Sequence, residues 1–259
     1  MRMRKTSSFQ KELFVLQIAS DICKGSLEGL SVLDLGCLIA TCGIPFALQG
    51  AKIIGIEGRE ANIQKARLKT EGVNNITIYK DDVRNLGKYG SFDIILCLGI
   101  LYHLDAPDIF SFIETMARAC KQFTIIHTHV SLVGEEKREH KGKSYWGRTF
   151  REHLVGSTPQ ERLRSTWASL DNVNSFWLTE QSLYNLLIDC GFSSYCKYPT
   201  PNSLLDQTYI VAYNGPQKVL EQHRWSRDQV LKPHPSQQRI YGPLWNWLRF
   251  MKRRAENLR

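Results

Sequence analysis

The feature that most constrains this chain is a regular alternation of short apolar segments with helix-forming segments over residues 31–130. The apolar segments have the length and composition of buried strands, and several of them stop at glycine or at an acidic residue. Such an alternation is typical of βαβ units, in which parallel strands are joined by right-handed helical crossovers. The predicted strands are 31–36, 52–56, 76–79, 92–98 and 123–130, and the predicted helices are 9–23, 44–48, 60–70 and 107–119.

The alternation stops at residue 131. Residues 131–178 are polar, basic and aromatic, and we interpret them as an insertion. A helix over 179–190 follows, and then two strands over 192–198 and 207–213 that are joined by a proline-rich turn. The sequence therefore predicts an α/β fold. Its seven-stranded, mostly parallel sheet has helices on both faces and an antiparallel strand near the C-terminal edge.

Composition places the basic charge at the two ends of the chain. The 259 residues carry a net charge of +9, of which residues 1–5 contribute +3 and residues 218–259 contribute +7. The remaining residues 6–217 sum to −1. A protein that binds a nucleic-acid backbone with its main surface needs positive charge there, so the body of this chain carries no nucleic-acid signal.

Three domain segments follow from these patterns. Residues 1–29 are predicted to form an N-terminal helix, residues 30–214 the α/β domain with its insertion, and residues 215–259 a basic tail. The tail includes an amphipathic helix that begins at Pro243. It could dock on a membrane surface, on RNA or on a protein.

We expect a cytoplasmic protein. The longest uncharged apolar run, Ile94–Leu101, is too short to span a bilayer, and the basic N-terminus is not followed by an apolar signal-peptide core. The seven cysteines contain no C-x-x-C pair, which favours free thiols in a reducing compartment.

Acidic residues at the ends of the first two strands predict a nucleoside site. Asp34 lies in the first strand, which ends at Gly36, and Glu57 closes the second strand 23 residues after Asp34. A carboxylate at the tip of the neighbouring strand is suited to accept hydrogen bonds from ribose hydroxyls. The phosphate-binding pattern G-x-G-x-x-G is missing, because Leu38 and Thr41 stand where glycines are needed. A cofactor without phosphate groups fits this loop better.

Here the sequence resembles the class I S-adenosylmethionine-dependent methyltransferases, over roughly residues 30–214. The resemblance lies in the segments 33–37 (Leu-Asp-Leu-Gly-Cys), 55–58 (Gly-Ile-Glu-Gly), 81–83 (Asp-Asp-Val) and 92–104. The last segment, together with 176–180 and 190–192, is most similar to the branch that contains the bacterial tRNA wobble-uridine carboxymethyltransferase. The chain departs from the family's glycine pattern at two positions, which hold Leu38 and Ala40.

The resemblance implies a Rossmann-like fold, S-adenosylmethionine as cofactor, and roles for matching positions. Gly36 would let the chain turn beside the cofactor, and Glu57 would hold the ribose diol. Asp82 would bond the adenine amino group while Val83 packs on the ring. The full set of expected cofactor contacts is Asp34, Gly36, Cys37, Glu57, Gly58, Arg59, Asp82, Val83, Leu98, Gly99 and Tyr102.

Two histidines are candidate bases. His103 follows the fourth strand, and His129 ends the fifth. His127 shares a face with His129, because side chains alternate along a strand, and we expect it to contact substrate. Each of these histidines could instead shape the pocket or form hydrogen bonds with residues behind it, without acting as a base. A metal site would need a further ligand such as Glu152 or His153, and no spacing fixes one, so we predict no metal.

The insertion follows the fifth strand and could fold over the crevice as a lid, or form a subdomain with its own small core. Its aromatic and basic residues would then exclude water and bind an anionic acceptor. We expect Tyr102 in the crevice, together with Tyr145, Trp146 and Arg148 of the insertion, to contact substrate.

The sequence thus predicts a methyltransferase acting on an oxygen or nitrogen atom of a small molecule. Three alternatives stay open at this point. One is an RNA-modifying methyltransferase, which the wobble-uridine resemblance suggests and the neutral body of the chain disfavours. Another is a binding module for S-adenosylmethionine without catalysis. The third is a partner-dependent enzyme that uses its tail to dock on a larger assembly. The sequence does not indicate an oligomeric state.

Overall fold

The computed structural model describes residues 8–198 and 206–215. The helices are α1 (Ser8–Ile22), α2 (Gly43–Leu48), α3 (Glu60–Lys69), α4 (Asp108–Ala119), α5 (Pro159–Arg164) and α6 (Glu180–Asp189). The strands are β1 (Ser31–Leu35), β2 (Lys52–Glu57), β3 (Ile76–Lys80), β4 (Phe92–Leu98), β5 (Cys120–His129), β6 (Glu136–His140), β7 (Lys143–Arg151), β8 (Asn174–Leu178), β9 (Ser194–Tyr198) and β10 (Gln207–Tyr213). Short 3₁₀ turns cover Val83–Tyr89 and Leu101–His103.

Seven strands form the main sheet in the order β3-β2-β1-β4-β5-β10-β9. Strands β1 to β5 are parallel to one another, whereas β10 runs antiparallel to both β5 and β9. The predicted sheet, with its antiparallel strand next to the C-terminal edge, is therefore confirmed. Because the order reverses between β1 and β4, the carboxyl ends of these two strands open a crevice.

The two faces of the sheet are covered by different helices. Val32, Ile94 and Ile125 face the layer that contains α1 and α2. Their chain neighbours Leu33 and Ile95 face the layer that contains α4 and α6. This alternation with period two buries both faces, as a parallel sheet requires. Helix α1 is part of this core, since Val15, Leu16, Ile18, Ala19 and Ile22 are buried against the sheet.

The insertion contains a second, three-stranded antiparallel sheet in the order β6-β7-β8, which the sequence analysis did not predict. It shares a core with the main sheet, because Tyr145 of β7 and Phe176 of β8 are buried in the cluster that includes α4 and α6. That the insertion acts as a lid stays a prediction. The predicted tail helix from Pro243 lies outside the described residues. Within the described ones, none of the helices combines the length and the apolar character needed to cross a membrane.

Candidate functional site

A cleft with a cavity volume of about 150 Å³ opens at the carboxyl ends of the central strands. Ligands of open α/β sheets bind at this edge, outside the carboxyl ends of the strands. Most residues that the sequence predicts to bind a cofactor line it, although they come from four separate segments of the chain. They are Gly36, Glu57, Gly58, Arg59, Asp82, Val83, Leu98, Gly99 and Tyr102.

Glu57 is the carboxylate at the centre of this wall. It is 3% exposed, and its two oxygens accept hydrogen bonds from the Leu38 amide at 3.0 Å and the Arg59 amide at 2.8 Å. Each carboxylate oxygen accepts more than one hydrogen bond, so both retain acceptor capacity towards the cleft. The two amides fix the orientation of the carboxylate, and its position at the end of β2 is the one that the sequence predicts.

The loop after β1 has positive φ at one glycine and at two residues that carry a Cβ. Gly36 has φ of +65°, and a Cβ at this position would lie 2.2 Å from Ile100 Cδ1. Leu38 and Ala40 also have positive φ, of 50° and 61°. Residues with a Cβ enter this region at a cost of roughly 1–2 kcal/mol. Leu38 and Ala40 thus adopt a backbone conformation that favours glycine.

Asp34 and Cys37 lie behind this loop and do not line the cleft. Asp34 is 2% exposed. Burial raises the pKa of Asp34 to about 7, against a hydrogen bond from the Gly43 backbone, and nearby Glu57 raises it further. Cys37 is turned towards β2, where its sulfur lies 2.8 Å from the place a Cβ on Gly55 would occupy. The direct cofactor contact predicted for these two residues is not supported, because both side chains pack into the interior.

Asp82 begins the 3₁₀ turn after β3 and is held by Arg84. Its Oδ1 accepts from the Arg84 amide at 2.8 Å, and its Oδ2 accepts from Arg84 Nη2 at 2.6 Å. The same guanidinium contacts Asp108 at 2.8 Å and Asp171 of the insertion at 2.5 Å. These three carboxylates raise the pKa of Arg84 despite partial burial. Arg84 therefore ties the Asp82 side of the cleft wall to the insertion.

Lys11 lines the cleft from α1, and sequence reasoning missed it. Its ammonium lies 3.3 Å from His127 Nδ1. Burial lowers the pKa of Lys11, while Cys42, Glu12 and Asp34 act in the opposite direction. Burial and the Lys11 charge also lower the pKa of His127 to about 3, so His127 is neutral at physiological pH. No local sequence signal distinguishes Lys11 from other helix lysines; only the packing of α1 brings it here.

His103 and Tyr102 lie together on the wall of the cleft. His103 Nδ1 is 2.9 Å from Glu152 Oε2, and the Tyr102 and His103 rings are 4.2 Å apart. Burial, together with the Glu152 charge, raises the pKa of Tyr102 and keeps the phenol protonated. Among the described residues none is hydrogen-bonded to His103 Nε2, which leaves this nitrogen able to accept a proton.

His129 differs from His103 in that both ring nitrogens have partners. Nδ1 is 3.0 Å from Asp206 Oδ2, and Nε2 is 3.2 Å from the Gln207 amide nitrogen. Its ring stacks on Trp177 with centroids 4.9 Å apart, and His129 does not line the main cleft. His127 shares its face as predicted, but also lies outside the lining. The structure therefore does not bring these two histidines into the cleft.

The three insertion residues expected to contact substrate lie elsewhere. Tyr145 is 2% exposed, and its hydroxyl donates to Asp189 Oδ2 at 2.7 Å. Trp146 is 48% exposed on the outer face of β7, and the Arg148 guanidinium lies over the Trp177 ring. None of these three side chains lines the cleft, because β7 alternates between the shared core and the outer surface in this part of the strand.

A different part of the insertion lines the cleft. Residues 166–171 line it, and Leu170 packs where a Cβ on Gly58 would otherwise lie. Arg59 anchors this segment by donating to the carbonyl oxygens of Leu163, Ser165, Ala168 and Ser169 at 2.7–3.2 Å. Such multiple bonds from one guanidinium fix a loop that has no regular structure of its own.

The described residues contain no group of three His, Cys, Asp or Glu side chains placed to hold a metal ion. The two side chains considered as further ligands are engaged elsewhere. Glu152 bonds His103, and His153 Nε2 contacts the Ser169 carbonyl at 2.8 Å.

Comparison with protein families agrees with this geometry. Residues 32–122, from β1 to the start of β5, match a family described as "Methyltransferase domain". The match covers the segments that supply Gly36, Glu57, Asp82 and Gly99, and it ends before the insertion.

Two curated relatives show how far the similarity extends. Magnesium-protoporphyrin O-methyltransferase of Synechocystis sp. is 31% identical over 100 residues, which make up 37% of this chain and 43% of that protein. Ubiquinone biosynthesis O-methyltransferase of Mesorhizobium japonicum is 33% identical over 87 residues, or 32% of this chain and 34% of that protein. The chain thus spans less than half the length of these relatives.

Solved structures share the fold over a larger part of the chain. The N-terminal domain of EvdMO1 with S-adenosylhomocysteine bound has a TM-score of 0.64 and 22% identity, over 79% of this chain and 81% of that one. Magnesium protoporphyrin IX methyltransferase from Synechocystis with bound S-adenosylmethionine has a TM-score of 0.52 and 20% identity, over 83% of this chain and 87% of that one. At this identity the likeness shows the Rossmann-like methyltransferase fold.

Proposed function

We propose that this methyltransferase domain uses S-adenosylmethionine to methylate a small-molecule hydroxyl group, with a nitrogen acceptor as the variant of the same reaction. The observation that carries the proposal is Glu57. It is a buried carboxylate, held by two backbone amides, with free acceptor capacity at the mouth of β2. Paired hydroxyls on a ribose ring are the natural donors for such a group.

The residues in the cleft fit a nucleoside with a charged amino-acid arm and no phosphate. Gly36 and Gly99 provide bare backbone at the ends of β1 and β4, and Val83 supplies an apolar surface beside Asp82. Lys11 is the cation on the α1 side of the cleft and suits a carboxylate. When bound, S-adenosylmethionine supplies an electrophilic methyl group on a sulfonium centre.

The chain's own residues would align and deprotonate the acceptor. His103 Nε2 is the candidate base and would take the hydroxyl proton as the oxygen forms its new bond to carbon. Tyr102 walls the same region with an aromatic face. Residues 166–171 would exclude water from the cleft, and alignment in such a closed site can supply much of the rate.

The names of the relatives favour an oxygen acceptor. Both curated relatives described above are named as O-methyltransferases of small molecules. The finer resemblance to the tRNA wobble-uridine carboxymethyltransferase branch receives no support from them. A cytoplasmic location and docking through the basic tail stay proposals of the sequence alone.

Titration calorimetry with S-adenosylhomocysteine tests the cofactor assignment. We expect a Kd in the micromolar range, about −8 kcal/mol. Glu57→Ala should weaken binding by roughly 1–3 kcal/mol, because hydroxyl donors and two amides lose their charged acceptor. Glu60→Gln is the matched control, since Glu60 is an exposed carboxylate paired with Lys80 outside the cleft. The absence of both binding heat and a thermal shift at millimolar cofactor would refute the assignment.

A mass-spectrometric screen tests the reaction itself. Incubation with S-adenosylmethionine and a pool of hydroxylated aromatic acids should yield products heavier by one methyl group. The same incubation with bulk tRNA in place of the acids should leave the tRNA nucleosides unmethylated. Methylated nucleosides without a methylated small molecule would favour the RNA-modifying alternative, and cofactor binding without any product from either pool would favour the binding module.

A further inference from the structure

Glu152 is a buried carboxylate at the junction between the insertion and the cleft. It follows β7 directly, and its side chain is 3% exposed. It accepts three hydrogen bonds, from His103 Nδ1 at 2.9 Å, from the Ser175 hydroxyl at 2.8 Å and from the Ser169 amide at 3.0 Å. A carboxylate that leaves water is expected to have such a full set of partners.

The charge state of Glu152 follows from these partners. Burial acts to raise the pKa of Glu152, but the hydrogen bond and charge of His103, with the bonds from Ser175 and Ser169, hold the pKa below its ordinary value. The side chain is therefore an ionised acceptor at neutral pH. An ionised carboxylate has no proton to donate, so in its contact with the imidazole the proton lies on His103 Nδ1.

That proton fixes the tautomer of the neutral ring. When Nδ1 carries the proton, Nε2 is left with its lone pair. His103 borders the cleft, so this is the nitrogen available to an acceptor. A histidine without such a partner exchanges between tautomers and rotates about its side-chain bonds, and only part of its population is competent as a base.

We propose that Glu152 is a positioning residue that holds His103 in the Nδ1–H tautomer with a bare Nε2 towards the cleft, so that the insertion completes the base. This inference rests on the proposed function and adds a residue that the sequence analysis considered only as a metal ligand. The Ser169 amide gives the arrangement a second consequence. Because Ser169 belongs to segment 166–171, which lines the cleft, the same carboxylate orients the base and anchors that segment.

Long-range ¹H–¹⁵N NMR of histidine side chains reads the tautomer directly and needs no acceptor substrate. The spectrum of the whole protein is recorded at pH 9, where an unperturbed imidazole is neutral. The His103 signal is assigned by its loss in His103→Asn. We expect the Nδ1–H pattern in the wild type and a mixed or reversed pattern in Glu152→Gln, whose amide can donate as well as accept.

Ser175→Ala is the matched control. It removes another hydrogen bond from the same carboxylate without touching His103, so a purely structural role of Glu152 would give both variants the same spectrum. An Nε2–H pattern in the wild type overturns the proposal, even if Glu152→Gln fails to fold. So does a His103 signal that Glu152→Gln leaves unchanged.

Kinetics with an acceptor from the screen provide the second measurement. Glu152→Gln should lower kcat by at least roughly tenfold while KM and the Kd for S-adenosylhomocysteine stay within about threefold. In the His103→Asn background the same substitution should have little further effect, because the two residues act as a unit. Additive losses would contradict the proposal. If S-adenosylhomocysteine does not bind, the proposed function is refuted. The NMR result on the His103 tautomer does not depend on that binding.

Discussion

The parallel sheet and the insertion contribute to the same cleft in different ways. At the strand ends, a cleft position can be identified from its place in the chain, since Gly36, Glu57, Asp82 and Gly99 each lie at or just after the carboxyl end of a strand. In the insertion, position in the chain has no such meaning. Tyr145 is of a residue type that is common in binding sites, but it lies in the core. Ser169 belongs to no sequence motif, but it lines the cleft.

The difference has a physical origin. Parallel strands joined by right-handed crossovers all present their carboxyl ends at one edge, so the topology alone brings distant residues together. The course of the insertion depends on tertiary contacts instead. It is held by side chains of the sheet domain, chiefly Arg59 and Arg84, which bond to its carbonyl groups and to Asp171.

The largest expected effect separates the two candidate bases. His103→Asn should lower kcat by about 10²–10⁴ and leave the Kd for S-adenosylhomocysteine within about threefold, because it removes the nitrogen that faces the cleft. His129→Asn should lower kcat by less than about tenfold, since both nitrogens of His129 are already bonded outside the cleft. Steady-state kinetics with an acceptor from the screen measure both.

The reverse order of effects would break the comparison. A large loss in His129→Asn with a nearly active His103→Asn would mean that the end of β5, rather than the junction with the insertion, supplies the base. A rate independent of pH from 5.5 to 8 in the wild type, with both variants active, would leave alignment as the main source of rate.

The next effect is on stability and concerns the sheet alone. Asp34 has a pKa of about 7 in the folded protein, above its ordinary value, because it is buried. Between about pH 4 and 7 the folded state therefore holds a proton that the unfolded chain releases, and the free energy of unfolding falls as pH rises. Asp34→Asn should remove this loss and gain about 2–4 kcal/mol relative to the wild type between pH 5 and pH 8.

Urea unfolding at the two pH values measures the gain. Asp93→Asn is the opposite control. Burial acts to raise the pKa of Asp93, but hydrogen bonds from the Ser31 hydroxyl and amide hold it below its ordinary value. Asp93 thus stabilises the fold above its unfolded pKa, and this variant should lose stability at pH 8. If Asp34→Asn also loses stability at pH 8, the Asp34 carboxylate of the wild type is charged and hydrogen-bonded in the folded protein.

The difference between the sheet and the insertion also determines which parts of the molecule can be predicted from the sequence. The strand β4 is predicted at its observed bounds, and the acid at the end of β2 lies where the pattern indicates. The sequence does not reveal Lys11, because a helix lysine carries no mark of what its helix packs against. It does not reveal Glu152 as a partner of His103 either, because that contact joins residues 49 positions apart through the fold of the insertion.

A smaller effect tests how the insertion is held. Arg59→Met keeps much of the side-chain volume but removes four hydrogen bonds to carbonyl groups. We expect residues 166–171 to open locally, with a loss of roughly 1–3 kcal/mol in their local stability and little change in the global unfolding transition. Limited trypsin digestion should then cut faster at Arg162 and Arg164. Arg118→Met, on the far end of α4, is the control and should leave the digestion pattern unchanged.

The smallest effect concerns the turn that joins β6 to β7. Lys141 and Gly142 both have positive φ, of 51° and 76°, in a two-residue hairpin connection. Such a turn favours asparagine followed by glycine, and a lysine in this region is strained. Lys141→Asn should therefore raise the free energy of unfolding by about 0.5 kcal/mol, although it removes an exposed ion pair with Glu114. Gly142→Ala should lower it by about 1 kcal/mol.

Chemical denaturation of both variants decides whether the hairpin belongs to the cooperative core. Tyr145 of β7 packs on Phe110 of α4, with ring centroids 5.4 Å apart, so strain in this turn is coupled to the main sheet. The two variants should accordingly move the single global transition in opposite directions. If neither moves it while trypsin sensitivity of the insertion changes, the insertion unfolds as a separate unit. The contrast between sheet and insertion would then extend from sequence pattern to stability.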